Sequence, residues 1–366
     1  MKTNGTLNGV ESKSDEIGYH PISKMLKRNK ELWDLFTTCE EYKPPMLDQH
    51  GRFPHYLSNN RFIFDPRVSK LLIESGLNVE YPENKKFAIC LTHDIDTVYY
   101  SRSILGSTYS AFKYLKDGHV KDALKMPFHK LYKKWNPLWN FKKIMALEDK
   151  YGAKSSFYIL SLSKSDKDFN YELEDLEHEL GNIIDCGWEV GLHGGHNAYN
   201  SLDQLKIEKT NLEILLGKNV IGYRNHFLKF KVPYTWELLS KAGFKYDATF
   251  GYADCVGFRN GMCHPFKPFN LNTNNTIDML EIPLTIMDCT LFDYMKQDIK
   301  GAWETTKMLI DTVEKYNGVI TILWHNTYML GDKLRFYDKI LKYCSGKNAW
   351  LTSGANIYNW WSRDNI

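Results

Sequence analysis

Apolar and polar positions along this chain follow two periods in turn. Short apolar runs that read as strands fall at 87–96, 155–160, 188–192, 220–224, 244–250, 279–286, 318–324 and 349–353. Between most of them apolar residues recur at three and four. Leu173, Leu176, Leu180, Ile183 and Ile184 share one helical face, and Leu205, Leu212, Leu215 and Leu216 share another. Ser201 is suited to cap the second of these helices, with Asp203 in its first turn. Pro233 can open a helix over 233–242 that Gly243 closes, and the last strong helical pattern covers 302–316. Alternating strands and helices predict a parallel sheet, and this many units predict closure into an α/β barrel. No internal repeat is evident.

Three stretches stand apart from this rhythm. Residues 1–18 are polar and expected to be disordered. Residues 19–84, with helical spacing at 22–36 and 66–75, form a small lead-in expected to pack on the barrel, which takes 85–366. Residues 99–143 interrupt the barrel pattern with a helical insertion rich in Lys and aromatic residues, Lys113, Lys116, Lys133 and Lys134 among them. The insertion reads either as a solvated flap with an apolar underside or as a basic surface. In the second case it would attract a lipid phosphate or nucleotide diphosphate and make peripheral membrane contact.

Composition narrows the class. Of 366 residues, 43% are hydrophobic and 25% charged, the range of a globular protein with a sizeable core. A net charge of +3 is too small to suggest nucleic acid as a partner. The 7 cysteines are scattered with no CxxC pair, which points to a reducing compartment, and no apolar run is long enough to span a bilayer. The expected location is cytoplasmic, with an inner membrane face as the surface a basic insertion could touch.

The chemistry gathers at strand ends. Side chains alternate along a strand, so Asp94 and Asp96 project one way while His93 and Ile95 project the other. Two carboxylates that close favour a cation beside them. The run Trp188-Glu189-Val190-Gly191-Leu192-His193 ends another strand on an imidazole, with His196 at i+3 and Asn197 at i+4. A carboxylate and two imidazoles at neighbouring strand ends can hold a divalent metal and leave positions open. Further strand ends supply Arg224 and His226, then Asp247 and Asp254 with Arg259, and lastly Trp324 and His325. His226, Arg259 and Trp324 are candidate substrate contacts.

With these motifs the chain resembles the polysaccharide deacetylases of the NodB-homology type, in particular a branch among surface-polysaccharide biosynthesis proteins. The resemblance runs from about Lys85 to Trp361. It implies a distorted (β/α)7 barrel and metal-dependent hydrolysis of an acetamide, or a formamide, on a sugar. It makes Asp94 the general base and Asp96 a metal ligand with His193. For the third ligand it leaves His196 or Asn197, with His196 preferred because imidazole suits zinc, the expected ion. Arg224 matches the arginine that pairs with the base, although Asn225-His226 stand where the family usually has Pro. His325 matches the general acid, oriented by Asp247 or Asp254, of which Asp254 lies in the more polar loop. The implied substrate is a sugar carried on a nucleotide or lipid diphosphate. Two other classes remain open: a catalytically degenerate carbohydrate-binding barrel, and a membrane-surface scaffold acting through 99–143.

Overall fold

The structure is a computed structural model describing residues 25–99 and 136–363. The segment 1–18 and residues 100–135 of the basic insertion lie outside the described residues.

Eight sheet-forming segments build one parallel sheet: β1 (Ala88–Ile95), β2 (Ser156–Leu160), β3 (Glu189–Gly194), β4 (Gly222–Asn225), β5 (Tyr246–Asp247), then β8 (Leu280–Glu281), β9 (Leu284–Met287) and β10 (Val319–Leu323). A hairpin of β6 (Phe269–Asn270) and β7 (Asn275–Thr276) stands outside that sheet, and β11 (Trp350–Thr352) pairs with the start of β1. The order along the sheet is β8-β5-β4-β3-β2-β1-β10-β9, with every pairing parallel. Its two ends, β8 and β9, are halves of one segment separated by Ile282 and Pro283. One half bonds to β5 and the other to β10, so the sheet curls back toward itself as a distorted barrel of the (β/α)7 kind.

Helices surround the sheet as the apolar period requires. α1 (Lys30–Phe36) and α2 (Arg67–Glu74) belong to the lead-in; α3 (Phe141–Asp149), α4 (Glu177–Asp185), α5 (Leu202–Leu216), α6 (Tyr234–Lys241), α7 (Ile299–Lys315), α8 (Gly331–Gly346) and α9 (Gly354–Trp361) follow. Ser201 caps α5 by accepting from Gln204 N, and Gly217 ends it in the left-handed conformation. α9 inserts Ile357 and Trp361 into an inner cluster with Ala88, Cys90, Tyr158 and Tyr246. α8 and α9 are absent from the apolar reading of the sequence. α8 is polar overall, although it buries Phe336, Tyr337, Ile340, Leu341 and Cys344.

The lead-in is tied to the barrel by polar bonds as well as packing. Glu41 and Arg259 are buried partners, Val68 N and Ser69 N donate to Gly261 O, and Asn260 Nδ2 donates to Phe36 O. No helix among the described residues is long and apolar enough to cross a membrane.

Because the strands are parallel, their carboxyl ends share one rim. Register fixes which side chains meet there: Asp94 stands beside Tyr158, and His193 beside Arg224. Gly191 lets this layer close, since a Cβ there would lie 2.6 Å from the Tyr158 ring. That ring in turn supports the buried Arg224 guanidinium, 5.0 Å above it.

Candidate metal centre

Asp96, just beyond β1, is the hub of the rim. Its Oδ1 lies 3.1 Å from His193 Nε2 and 3.7 Å from His226 Nε2, while its Oδ2 lies 3.7 Å from His325 Nε2. Burial works against charge on this carboxyl, but His226, His193 and His325 outweigh it and hold it far below the usual carboxylate range.

The other ring nitrogens of the first two imidazoles are already committed. His193 Nδ1 is 3.0 Å from the Arg224 carbonyl, which can only accept, so Nδ1 carries the proton. His226 Nδ1 donates in the same way to Asp168 Oδ2 at 3.0 Å. In their neutral forms both rings therefore aim an Nε2 lone pair at an ionised carboxylate. Two lone pairs and an anion repel unless an added proton or a metal cation stands among them. Asp96, His193 and His226 present ligand atoms all within 4.8 Å of one another, a donor set that fits a divalent metal held by two imidazoles and one carboxylate. The carbonyl and Asp168 supply the outer bonds that metal-binding imidazoles need to fix their tautomers. Burial opposes the charged form of His193, yet Asp94 and Asp96 prevail and raise its pKa.

His226 reaches this position through its backbone. It opens the short turn His226–Leu228, in which Phe227 (φ 60°) and Leu228 (φ 52°) adopt the left-handed conformation that bulky residues avoid. The Phe227 ring then packs 4.0 Å from the His226 imidazole.

Asp94 and His325 flank the hub. Asp94 is buried, with Oδ2 3.7 Å from His193 Nε2 and Oδ1 3.6 Å from Arg224 Nη1. Asp94 Oδ1 and all three guanidinium nitrogens of Arg224 lack a hydrogen-bond partner among the described residues. His325, just past β10, donates Nδ1–H to Asp288 Oδ1 at 2.7 Å, and its backbone N–H donates to Asp288 Oδ2 at 2.6 Å. Burial disfavours charge on His325, but Asp288 overrides it and lifts the imidazole well above its ordinary pKa. Cys289 lies 3.8 Å from the same Nδ1, so Asp288, Cys289 and His325 also form a compact ligand-type group. The Nδ1–H bond to Asp288 makes a hydrogen-bonded dyad the better description. A cavity of about 370 Å³ opens over Asp94, Asp96, His193, His226 and His325.

Several sequence expectations meet a different geometry. His196 does not face Asp96: the chain turns after β3, and its Nδ1 faces Asp168 at 3.4 Å while Nε2 faces Lys229 at 3.1 Å. Asn197 is exposed at the start of the Ala198–Asn200 turn. His226, expected to touch substrate, instead brings its Nε2 to 3.7 Å from Asp96 Oδ1 and completes the Asp96–His193–His226 group. Asp254 lies in another loop, accepting from His55 N at 3.0 Å, and Asp288 is the carboxylate on His325. Asp247, the alternative, is bonded to Thr249 and faces Glu281 in the barrel interior. Arg259 is spent on Glu41 and on Gly251 O (2.8 Å). Trp324 is fully buried on the outer face, 5.5 Å from the Phe336 ring, and cannot meet a ligand. Asp288 and Asp168 are not among the sequence candidates. Asp288 carries the same signal as the others, a carboxylate just past a strand end, whereas Asp168 sits in a loop with none.

No protein-family model matches this sequence. No curated protein matches it either. Among solved structures, the chain is similar to a candidate polysaccharide deacetylase from Mycobacterium smegmatis, with a TM-score of 0.53 and 16% identity over 77% of this chain and 92% of that one. It is also similar to a carbohydrate-esterase family 4 pseudoenzyme from Bacillus anthracis (TM-score 0.40, 11% identity, 75% of this chain and 66% of that one). A third is the peptidoglycan deacetylase PdaC from Bacillus subtilis (TM-score 0.34, 14% identity, 76% and 93%). The first likeness is one of fold: the barrel is of the polysaccharide-deacetylase type.

Proposed function

We propose that this chain is a metal-dependent amidohydrolase that removes an N-acetyl, or N-formyl, group from a sugar in surface-glycan assembly, the sugar carried on a nucleotide or lipid diphosphate. The observation that carries the reading is the pair of buried imidazoles, pinned at Nδ1, whose Nε2 atoms meet at Asp96 between Asp94 and the Asp288–His325 dyad.

A divalent ion held by Asp96, His193 and His226, zinc being the best match to two imidazoles and a carboxylate, would supply Lewis acidity to the acyl oxygen and acidify a water. Asp94, with Arg224 behind it, is the group within reach to take the proton from the attacking water. Arg224 keeps that carboxylate oriented through charge, since the guanidinium has no other ionic partner at 4.0 Å or less among the described residues. His325, protonated and steadied by Asp288, is the group to protonate the amine nitrogen as the C–N bond breaks, because an amide nitrogen leaves poorly without a proton. No serine or cysteine nucleophile is needed.

The test is acetate release from N-acetylhexosamine, free and diphosphate-linked, by protein stripped of metal and then supplied with zinc. Release that requires the ion is expected. Sugar binding with no release at any metal concentration would favour the non-catalytic carbohydrate-binding barrel.

A further inference from the structure

A second group of charges stands behind the metal centre. Asp168 Oδ2, which takes the Nδ1 proton of His226, also faces His196 Nδ1 at 3.4 Å. On the far edge of that imidazole, Nε2 lies 3.1 Å from Lys229 Nζ and 3.5 Å from Lys167 Nζ. An imidazole nitrogen has one lone pair, so it can satisfy one ammonium and not both. Among the described residues, neither lysine has a carboxylate within 4.0 Å. Lys229 is only 6% exposed and rests over the Tyr199 ring. Its burial and the nearby Lys167 charge hold its ammonium below the usual pKa, and burial together with Lys229 does the same to His196.

This basic shelf is continuous with the wall of the cavity. The Phe227 ring packs against His226 at 4.0 Å and meets His196 edge-on at 5.9 Å. Arg52, which lines the cavity, donates to Phe227 O at 2.8 Å. The excess positive charge thus lies one side chain beyond the ligand His226, and exposed Lys167 opens it to solvent.

We propose that Lys167, Lys229 and His196 form a subsite for an anionic group, a phosphate or a sugar carboxylate, on the substrate whose acyl group lies at Asp96. The proposal rests on the hydrolase reading above and gives its substrate a sign of charge. Lysine meets such an anion as a point charge with three donors, and an anion would give each ammonium an oxygen of its own in place of one shared lone pair. A neutral hydroxyl would leave the two positive charges with little beyond the carboxylate of Asp168 to offset them.

Titration calorimetry of the full chain, freed of metal on a chelating resin and kept at low salt, tests this with inorganic pyrophosphate and with glucuronate. Binding of either supports the subsite, provided it weakens with salt. Pyrophosphate alone assigns a carrier phosphate, and glucuronate alone an acidic sugar. Lys167→Met, at an exposed position that the fold does not need, should weaken binding about tenfold, the scale of one charge-assisted hydrogen bond. Lys167→Met combined with Lys229→Gln should abolish it. Unchanged affinity in Lys167→Met and in Lys229→Gln, or no binding of either probe by the wild-type chain, overturns the subsite. Because no turnover is read, a chain that binds the anion but never releases acetate would keep the subsite and lose the hydrolase reading.

Discussion

Two buried polar clusters share β1, one on each face. On the outer face His93 donates to Trp324 O (2.6 Å) and meets Glu148 Oε1 at 2.8 Å; Tyr337, Ser155 and Trp188 donate to the same carboxylate at 2.6–2.8 Å. Burial opposes charge on Glu148, but His93, Trp188 and Tyr337 outweigh it and depress its pKa. On the inner face, one residue along the chain, Asp94 and Arg224 are just as buried yet keep unpartnered atoms, and two imidazole Nε2 atoms converge on Asp96. The outer cluster is complete within the protein, and a completed network rigidifies a fold. The inner one is complete only with something added, which is the mark of a site.

That contrast can be broken by removing one carboxylate from each face. Asp94→Asn should lower kcat/KM by about 10⁴-fold, the upper range for loss of a general base, while metal content stays at the wild-type value. Comparable activity in the variant would remove Asp94 from the mechanism. Glu148→Ala should instead cost about 3–5 kcal/mol in denaturant unfolding, because it strands a buried imidazole and three donors, with metal content again unchanged. A loss of metal together with stability would show that the two faces are not separable.

A smaller effect sharpens the comparison by pH. Glu208 lies beneath the end of β3, accepting from Gly195 N (2.8 Å) and Gln204 Nε2 (2.7 Å), and burial pushes its carboxyl up to about 7. Its ordinary value is 4.5, so between the two the native state binds the proton that the unfolded state releases. Stability from this group is fully present below the lower value and falls, by roughly 3 kcal/mol, as pH rises through the upper one. Glu208→Gln should remove that slope from a urea-unfolding series. Identical slopes in wild type and variant would show that Glu208 does not carry the proton.

The alternation of apolar residues made much of this legible. Period two along 87–96 separates His93 from Asp94, and parallel strands bring Asp94, Asp96, His193, Arg224 and His325 to one rim. What stayed hidden depends on loops. His226 faces Asp96 from a turn in which Phe227 and Leu228 adopt left-handed backbone, which their types do not advertise. His196 has the better spacing to His193, but the segment after β3 does not continue as a helix, so i+3 and i+4 spacing loses its meaning. Asp288 stays hidden because the apolar pattern ends at 286, while β9 continues to Met287 and delivers the next residue to the rim.

On the proposed reading the ion is held by Asp96, His193 and His226, with His196 and Asn197 outside its reach. Elemental analysis of the purified chain after zinc loading and exhaustive dialysis tests it directly in four variants. His226→Ala and Asp96→Ala should each lose the ion, while His196→Ala and Asn197→Ala should retain one zinc per chain, with folding of all four checked by near-ultraviolet circular dichroism. Stoichiometric zinc in folded His226→Ala, or its loss from His196→Ala alone, would contradict the account.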